Sequence, residues 1–232
     1  MNGLSRGGVL AALLVGGAAA LGTGWGGIAL LFAFFLSSTW LTPGGGRRTA
    51  VQVAANGGVA AATALLARVD PFWTAAFAGA LAAAAADTWS TEIGGRSRSA
   101  PRSITTGAVV TKGSSGGVTW LGTAGGMAGA VCIAAAAALT GLIGRQASLF
   151  VAAGGIAGGL ADSLLGATVQ ARYRCPACGA VGEARQDGCG ARAGLAAGLA
   201  FVTNDTVNLA ATMVGAAVAA LPVLLGVAPL PS

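Results

Sequence analysis

Residues 72–88 read FWTAAFAGALAAAAADT, an almost continuous apolar run that ends beside the carboxylate of Asp87. About 20 apolar residues are needed to cross the hydrocarbon core of a bilayer as a helix, and the shortest spans approach the length of this run. Similar runs recur along the chain, so we expect about seven transmembrane helices. The runs lie near residues 7–22, 25–41, 50–67, 72–88, 116–139, 149–168 and 206–227.

The overall composition also indicates a membrane protein. The 232 residues are 55% hydrophobic and only 9% charged, with a mean hydropathy of +0.76, whereas a soluble domain is roughly 25% charged. This composition excludes a soluble globule, and its hydrophobicity excludes disorder. We expect one all-α membrane domain over residues 1–232. The first run could be a cleaved signal peptide, but only Arg6 gives it a positive region and further spans follow, so we interpret it as retained.

Basic residues are sorted strongly between the two predicted faces. With seven spans, eleven of the 13 Lys and Arg residues fall on one face and two, Arg68 and Arg145, on the other. The positive-inside rule then predicts a cytoplasmic N-terminus and an active face in the cytoplasm, in a bacterial plasma membrane. The eleven are Arg6, Arg47, Arg48, Arg96, Arg98, Arg102, Lys112, Arg172, Arg174, Arg185 and Arg192. Two long cytoplasmic loops are expected, at about 89–115 and 169–205, where function usually collects.

Two predicted spans carry carboxylates on stripes of small residues. Asp87 follows Gly79 and Ala83 at four-residue steps, with Glu92 just beyond it, and Asp162 follows a similar glycine stripe from Gly154. Such stripes favour close helix packing, so both carboxylates should point into the bundle. Asp162 is predicted to lie about two turns inside the cytoplasmic boundary of its span. Placing a bare carboxylate there costs several kcal/mol, which indicates a functional site. The alternatives are a solvated helix-end carboxylate for Asp87 and a structural interhelical hydrogen bond for Asp162.

A third polar cluster opens the last predicted span. Asp205, Asn208 and Thr212 lie three and four residues apart and form one stripe, with Asn204 beside them. Helix capping by Asn204 or Asp205 is the alternative, but capping leaves Asn208 unexplained. The predicted catalytic set is therefore Asp87, Glu92, Asp162, Asn204, Asp205 and Asn208.

Carboxylates gathered on one membrane face predict a cation between them. Carboxylate and amide oxygens suit Mg²⁺ that is held jointly with substrate phosphates, so we expect Asp87, Asp162 and Asp205 to ligate Mg²⁺. Two loops supply cations, hydroxyls and glycines for phosphate, although flexible linkers have a similar composition. Their predicted phosphate-binding residues are Arg102, Ser103, Thr105, Thr106, Lys112, Gly113, Ser114 and Ser115.

Three cysteines share the second long loop. Cys175, Cys178 and Cys189 have a spacing typical of zinc ligands, but the chain has no His, so a closed site would need Glu183, Asp187 or another chain. Structural Zn²⁺ and ordinary reduced thiols both remain open. In either case we interpret the cysteines as stabilising the loop and not as catalytic.

Six segments in order resemble a known family. They are Asp87-Thr-Trp-Ser-Thr-Glu92-Ile-Gly94, Pro101-Arg-Ser-Ile-Thr-Thr-Gly107, Thr111-Lys-Gly-Ser-Ser-Gly-Gly117, Ala161-Asp162-Ser-Leu-Leu-Gly166-Ala-Thr-Val-Gln170, Arg172-Tyr-Arg-Cys175 and Asn204-Asp205-Thr-Val-Asn208. Together they resemble the integral membrane family, long classed as of unknown function, that includes plant phytyl-phosphate kinase and human transmembrane protein nineteen. The resemblance runs over essentially the whole chain, which departs from the family in lacking a His near Cys189.

The resemblance implies transfer of a phosphoryl group from a nucleoside triphosphate, with CTP expected, to an isoprenoid monophosphate such as phytyl, geranylgeranyl or farnesyl phosphate. The expected partners are these substrates and the lipid bilayer, with no nucleic acid, while the oligomeric state is left open. Another lipid-phosphate or nucleotidyl transferase, a transporter and a non-catalytic scaffold are the alternatives. A transporter would place its site near the midplane, between inverted repeats.

Overall fold

The computed structural model describes residues 3–42, 46–183, 185 and 190–226, and these ranges form a helical bundle with short strands at one end. The helices are α1 (Arg6–Leu41), α2 (Ala50–Leu66), α3 (Phe72–Gly94), α4 (Trp120–Leu139), α5 (Arg145–Thr168) and α6 (Asn204–Leu224). The strands are β1 (Gly3–Leu4), β2 (Arg47–Arg48), β3 (Arg102–Ser103), β4 (Gly117–Val118), β5 (Arg172–Arg174), β6 (Val181–Gly182) and β7 (Gly194–Ala197). Strands β1 and β2 pair in parallel, β3 and β4 pair antiparallel, and β5 lies between β6 and β7.

Within these ranges, four helices are long and apolar enough to cross a membrane: α1, α4, α5 and α6. Helix α2 is a shorter apolar helix. Large apolar side chains face outward, among them Trp25, Trp40 and Trp120, which are 85%, 81% and 92% exposed. Such exposure is expected of surfaces that contact lipid. A mostly helical membrane protein is therefore confirmed, while seven crossings stay a prediction.

Helix α1 is interrupted at Gly24, whose backbone is not helical (φ 61°, ψ −150°). A positive φ favours glycine, which has no Cβ to clash. Before the break, Gly8 packs against Arg48 and Gly22 against Ala64, so this part runs alongside α2 in the same direction. After it, Gly27 packs against Phe77, and Trp89 donates a hydrogen bond to Ser37, so this part runs alongside α3.

Since a short turn joins α2 to α3, the two parts of α1 fold back on each other as a hairpin. Thr23 and Gly26 at its tip share a recess with the α2–α3 turn and the α4–α5 turn. This recess marks one end of the bundle, where Arg68 and Arg145 lie. The paired strands and the first residues of α2, α4 and α6 lie at the other end, which we call the loop end. The predicted charge sorting therefore fits the geometry.

Helix α3 is the centre of the bundle and packs against all the other helices. Its residues from Thr74 to Ala86 are buried without interruption. The predicted small-residue stripes face neighbouring helices, as expected. A Cβ added to Gly79 would lie 2.4 Å from the Gly215 carbonyl oxygen, and one added to Gly158 would lie 2.4 Å from the Cβ of Ala83. Glycine is therefore what lets α3, α5 and α6 approach so closely.

Candidate active site in the cavity at the loop end

A cavity of about 1310 Å³ lies among the helices and opens towards the loop end. The hairpin of α1 supplies much of its apolar wall, while polar residues from α2, α3, α5 and α6 and from the loops line the rest. The apolar lining includes Val9, Leu13, Ile28, Leu31, Phe32 and Phe35. The polar lining includes Arg47, Arg48, Gln52, Asn56, Asp87, Thr91, Glu92, Lys112, Ser114, Ser115, Asp162, Gln170, Glu183, Asn204 and Asn208.

Asp87 and Asp162 meet in this cavity, as their stripes predict. The small residues that precede them bring α3 and α5 together, and the two half-buried carboxyl groups lie close enough for each to act electrostatically on the other. Two bare carboxylates repel at this separation, so the pair requires a shared proton or a cation. The charge of Glu183 also acts on both groups.

Two buried side-chain oxygens in the described part of the site have no hydrogen-bond partner. Among the described residues, neither Asp162 Oδ1 nor Asn208 Oδ1 has a hydrogen-bond partner, although both atoms are buried. Buried polar atoms are nearly always paired, so these two oxygens are suited to a ligand inside the cavity. A structural interhelical hydrogen bond of Asp162 stays an alternative, but it could involve only the other carboxylate oxygen.

The donor set fits Mg²⁺ better than a metal that is held by protein groups alone. Within the part of the chain that the structure describes, no three Cys, Asp or Glu side chains are placed to hold one metal ion. Mg²⁺ usually takes one or two carboxylates, with waters and substrate phosphates completing its shell. Asp87 and Asp162 could supply those carboxylates and Asn208 an amide oxygen.

The start of α6 places its polar residues unequally. Asn204 and Asn208 line the cavity, whereas Asp205 is not among the lining residues. Thr203 is the N-cap, and its side chain accepts a hydrogen bond from the backbone N–H of Thr206. The alternative that Asn204 or Asp205 caps this helix is therefore wrong. The role of Asp205 as a metal ligand stays a prediction, whereas Glu183 lines the cavity and its charge acts on the acidic pair.

Glu92 lines the cavity close to a basic residue. It lies one turn beyond Asp87 on α3, and its charge acts on Arg48 across the cavity mouth. Burial lowers the pKa of the Arg48 guanidinium, and the Glu92 carboxylate acts in the opposite direction. The loop end of the cavity therefore combines acidic and basic groups.

The loop that contains Lys112 reaches the cavity with all four of its predicted phosphate-binding residues. Lys112 Nζ donates a hydrogen bond to the Ser97 carbonyl oxygen (2.7 Å), which holds the side chain against the loop after α3. Gly113 and Gly116 have positive φ angles of 82° and 73°, so the backbone turns in a way that favours glycine. The backbone amides of Gly113 and Ser115 donate to no described group. Such amides can form an anion site.

The preceding loop does not place its predicted residues in the cavity lining. Arg102 donates to the Gly107 carbonyl oxygen (2.8 Å), Ser103 and Thr105 share a hydrogen bond between their hydroxyls (3.0 Å), and the Thr106 hydroxyl accepts one from the backbone N–H of Ala108. Pro101 and Ile104 of this loop do line the cavity. A phosphate-binding role for the four polar residues stays a prediction.

The cysteine loop contributes Glu183 to the site. Its backbone turns tightly at Cys175, which donates to the Ala180 carbonyl oxygen (2.8 Å) and accepts from Gly179 (2.9 Å). Further along, Glu183 accepts a hydrogen bond from the Ser115 hydroxyl and so joins the two long loops. Cys175 is buried and Cys178 exposed, while Cys189 and Asp187 lie outside the described residues. Zinc binding stays a prediction.

Sequence reasoning missed several lining residues. Gln52 and Asn56 lie four residues apart on one face of the largely apolar α2, and Arg48 lies just before this helix, in β2. That spacing could have identified Gln52 and Asn56. Glu183 offers no comparable signal, because its hydrogen-bond partner Ser115 is far from it in the sequence.

The fold and this cavity define an integral, multi-pass membrane protein with a polar site at one end of an apolar bundle. The chain belongs to the family described as integral membrane protein DUF92, which matches residues 1–216. It is similar to an uncharacterized membrane protein of Methanocaldococcus jannaschii, with 35% identity over 176 residues that cover 75% of this chain and 62% of the relative.

The chain is also similar to Protein PGR of Arabidopsis thaliana, with 32% identity over 183 residues that cover 61% of this chain and 64% of the relative. The chain thus spans slightly less than two thirds of the length of both relatives. No solved structure matches it.

Proposed function

We propose that the protein is a membrane kinase that transfers a phosphoryl group from a nucleoside triphosphate, expected to be CTP, to an isoprenoid monophosphate. One observation carries the proposal: a single cavity joins an apolar wall to a paired carboxylate and a lysine–glycine loop. The resemblance of the sequence to the family that includes phytyl-phosphate kinase supports the same activity.

The shape of the cavity suits a substrate with two unlike halves. An isoprenoid chain partitions into lipid and its phosphate stays at the interface, so an enzyme that joins it to a soluble nucleotide needs both surfaces at a helix end. The α1 side chains Leu13, Leu31 and Phe35 offer the apolar surface, and the loop end offers the polar one. A transporter with a site at the midplane would not need this arrangement.

The residues of the site can supply what phosphoryl transfer requires. Such transfer depends mainly on positioning and on stabilising charge at the transferred group. Lys112 and the amides of Gly113 and Ser115 would hold phosphate oxygens, and Asn208 would orient a ligand next to the acidic pair. Mg²⁺ held by Asp87 and Asp162 would neutralise charge on the phosphates. By holding Mg²⁺ between them, Asp87 and Asp162 would also position the phosphate groups of the two substrates relative to each other.

The proposal includes an orientation. We place the loop end and its cavity in the cytoplasm of a bacterial cell, with about seven crossings, because most of the basic residues lie there and nucleoside triphosphates are cytoplasmic. The hairpin of α1 would supply the first two crossings.

The test is an assay of purified, reconstituted protein with radiolabelled CTP or ATP and with phytyl, geranylgeranyl or farnesyl monophosphate. Formation of the isoprenoid diphosphate together with the nucleoside diphosphate is the expected result. Release of pyrophosphate with transfer of the nucleotide to the lipid would instead identify a nucleotidyl transferase. If no lipid product formed with any of these substrates, the kinase proposal would be wrong.

A further inference from the structure

Arg48 lies at the cavity mouth in a segment that is fixed by its backbone. Strand β2, which contains it, pairs in parallel with β1, and the backbone N–H of Ser5 donates to the Arg48 carbonyl oxygen (3.0 Å). A Cβ added to Gly8 would lie 2.4 Å from the same oxygen, so α1 and this strand are in close contact. The position of Arg48 is therefore set before any ligand binds.

The Arg48 side chain has unused hydrogen-bonding capacity. It is half-buried and lines the cavity, yet its guanidinium donates no hydrogen bond to any group among the described residues. A guanidinium carries five N–H donors in a planar fork that matches phosphate or carboxylate. Glu92 influences it through charge without forming a hydrogen bond with it. A partly buried cation with unspent donors indicates an anionic ligand.

Two amide side chains of α2 continue the polar lining that Arg48 begins. Gln52 and Asn56 follow Arg48 at four-residue steps and both line the cavity. The Gln52 side-chain oxygen accepts a hydrogen bond from the backbone N–H of Thr49 (2.9 Å), which leaves its amide nitrogen to donate elsewhere. The Asn56 amide nitrogen donates one hydrogen bond to the Gln52 backbone carbonyl oxygen (3.1 Å), which leaves it a second N–H. These two residues therefore offer hydrogen-bond donors beside Arg48.

Arg48 and α2 lie against the first part of α1, whereas the Lys112 loop lies against α5. Helix α2 packs on the first part of α1, where Gly57 lies against Val15, and Val53 lines the cavity beside Val9 and Leu13. The Lys112 loop packs instead on the end of α5, where Gly116 lies against Ala167. The cavity thus has cations at two places: Arg47 and Arg48 in β2, which pairs with β1 beside the start of α1, and Lys112 in the loop that packs on α5.

We propose that Arg48, with Gln52 and Asn56, binds the phosphate headgroup of the lipid substrate, while the Lys112 loop binds the phosphates of the nucleotide. This assignment rests on the proposed function, because it divides one reaction between two anion-binding positions. It explains why a site for two phosphorylated substrates carries basic groups on two separate elements. The carboxyl pair of Asp87 and Asp162 lines the same cavity.

The test is equilibrium binding of radiolabelled farnesyl monophosphate to protein in lipid nanodiscs, without nucleotide, and with farnesol as the uncharged control ligand. Arg48→Ala should raise the Kd for farnesyl monophosphate at least tenfold and leave farnesol binding unchanged. Arg48→Lys, which keeps the charge but loses the fork, should fall between Arg48→Ala and the wild type. Arg98→Ala removes an exposed arginine that does not line the cavity, and it should bind both ligands like the wild type.

Lys112→Ala provides the complementary measurement. It should leave the Kd for farnesyl monophosphate unchanged and weaken binding of CTP at least tenfold, whereas Arg48→Ala should bind CTP normally. Wild-type affinity of both Arg48 variants for farnesyl monophosphate would overturn the assignment, and so would an equal loss of farnesol binding. These experiments measure binding and not turnover. If the protein formed no isoprenoid diphosphate but Arg48→Ala still weakened binding of farnesyl monophosphate, the kinase proposal would be wrong and the lipid-phosphate site would stand.

Discussion

At the scale of single residues, Asp162 separates catalysis from packing. Asp162→Asn keeps the size of the side chain and its capacity for hydrogen bonds but removes the charge. If the carboxylate stabilises a transferring phosphoryl group, the variant should insert and fold normally and lose at least about 100-fold in kcat, as when a group that stabilises the transition state is removed. Steady-state kinase assays together with thermal unfolding in one detergent would measure both effects.

Asp70→Asn is the matched control for that change. Asp70 lies at the opposite end of the bundle, where its side chain accepts a hydrogen bond from the backbone N–H of Phe72 (2.9 Å), and asparagine can accept the same bond. It should retain full activity. Asp87→Asn should resemble Asp162→Asn, and the double variant should lose little more than either alone, because the two act as one unit. Near-normal activity in both single variants would rule out the acidic pair.

At the scale of helices, the glycine stripes are predicted to determine stability. In Gly158→Ala the new methyl group would lie 2.4 Å from the Cβ of Ala83 and 2.7 Å from the Ala211 carbonyl oxygen. Such overpacking typically costs about 1–3 kcal/mol. We expect a clearly lower Tm in detergent-purified protein.

Gly58→Ala tests whether the effect comes from packing. Gly58 is also helical, but a Cβ there would meet nothing within 4 Å. Both substitutions gain the same helix propensity, about 1 kcal/mol in favour of alanine, so the difference between them isolates the clash. Equal Tm values for the two variants would show that α3, α5 and α6 can move apart at little cost.

The hydrogen bond between Ser115 and Glu183 joins two loops that are far apart in the chain. Glu183→Ala removes the acceptor and should raise the KM for the nucleotide about tenfold, because the Lys112 loop loses a hydrogen bond to a charged group. Glu183→Gln keeps an acceptor oxygen and should stay close to the wild type. If the Gln variant lost as much as the Ala variant, the charge of Glu183, and not the tether, would be what the site uses.

The elements also show what the sequence can and cannot predict. The apolar run 72–88 anticipates α3, but the helix continues to Gly94. The run 116–139 begins too early, since Gly117–Val118 pairs with Arg102–Ser103 as a strand before α4 starts. Hydropathy measures which segments can lie in the hydrocarbon core. It therefore identifies the helices well but not their ends, which are polar and lie outside the core.

The residues of the site also differ in how well the sequence predicts them. Asp87 and Asp162 were predictable because a carboxylate within an apolar, small-residue stripe has few explanations other than function. Glu183 was not, because it reaches the cavity from a polar loop through contacts distant in sequence. Arg48 was visible only as one of many positive charges, because it lies in β2, outside the helical spacing that marks Gln52 and Asn56.

At the scale of the whole molecule, polar and apolar requirements are separated along the bundle axis. The centre of α3 is closed by alanine and glycine, and Phe77 and Leu81 are its largest fully buried side chains. On α3 the cavity begins at Ala86, next to Asp87, where this packing ends. A ligand would therefore enter from the loop end or from the lipid beside α1, and not through the bundle core.

The orientation of the molecule in the membrane can be measured by labelling. If most basic residues face the cytoplasm, a cysteine at the loop end should be shielded in intact cells, and one at the other end should react with a membrane-impermeant maleimide. Ser99→Cys and Gln146→Cys place exposed thiols at these two ends, before α4 and at the start of α5. The wild type, with its four natural cysteines, measures the background. Only the Gln146→Cys variant should be labelled in intact cells, and both should be labelled after lysis.

Labelling of both in intact cells would contradict the separation of the two ends by the membrane. The reverse pattern would place the cavity outside, away from cytoplasmic nucleotides, and would argue against the kinase as well as the orientation.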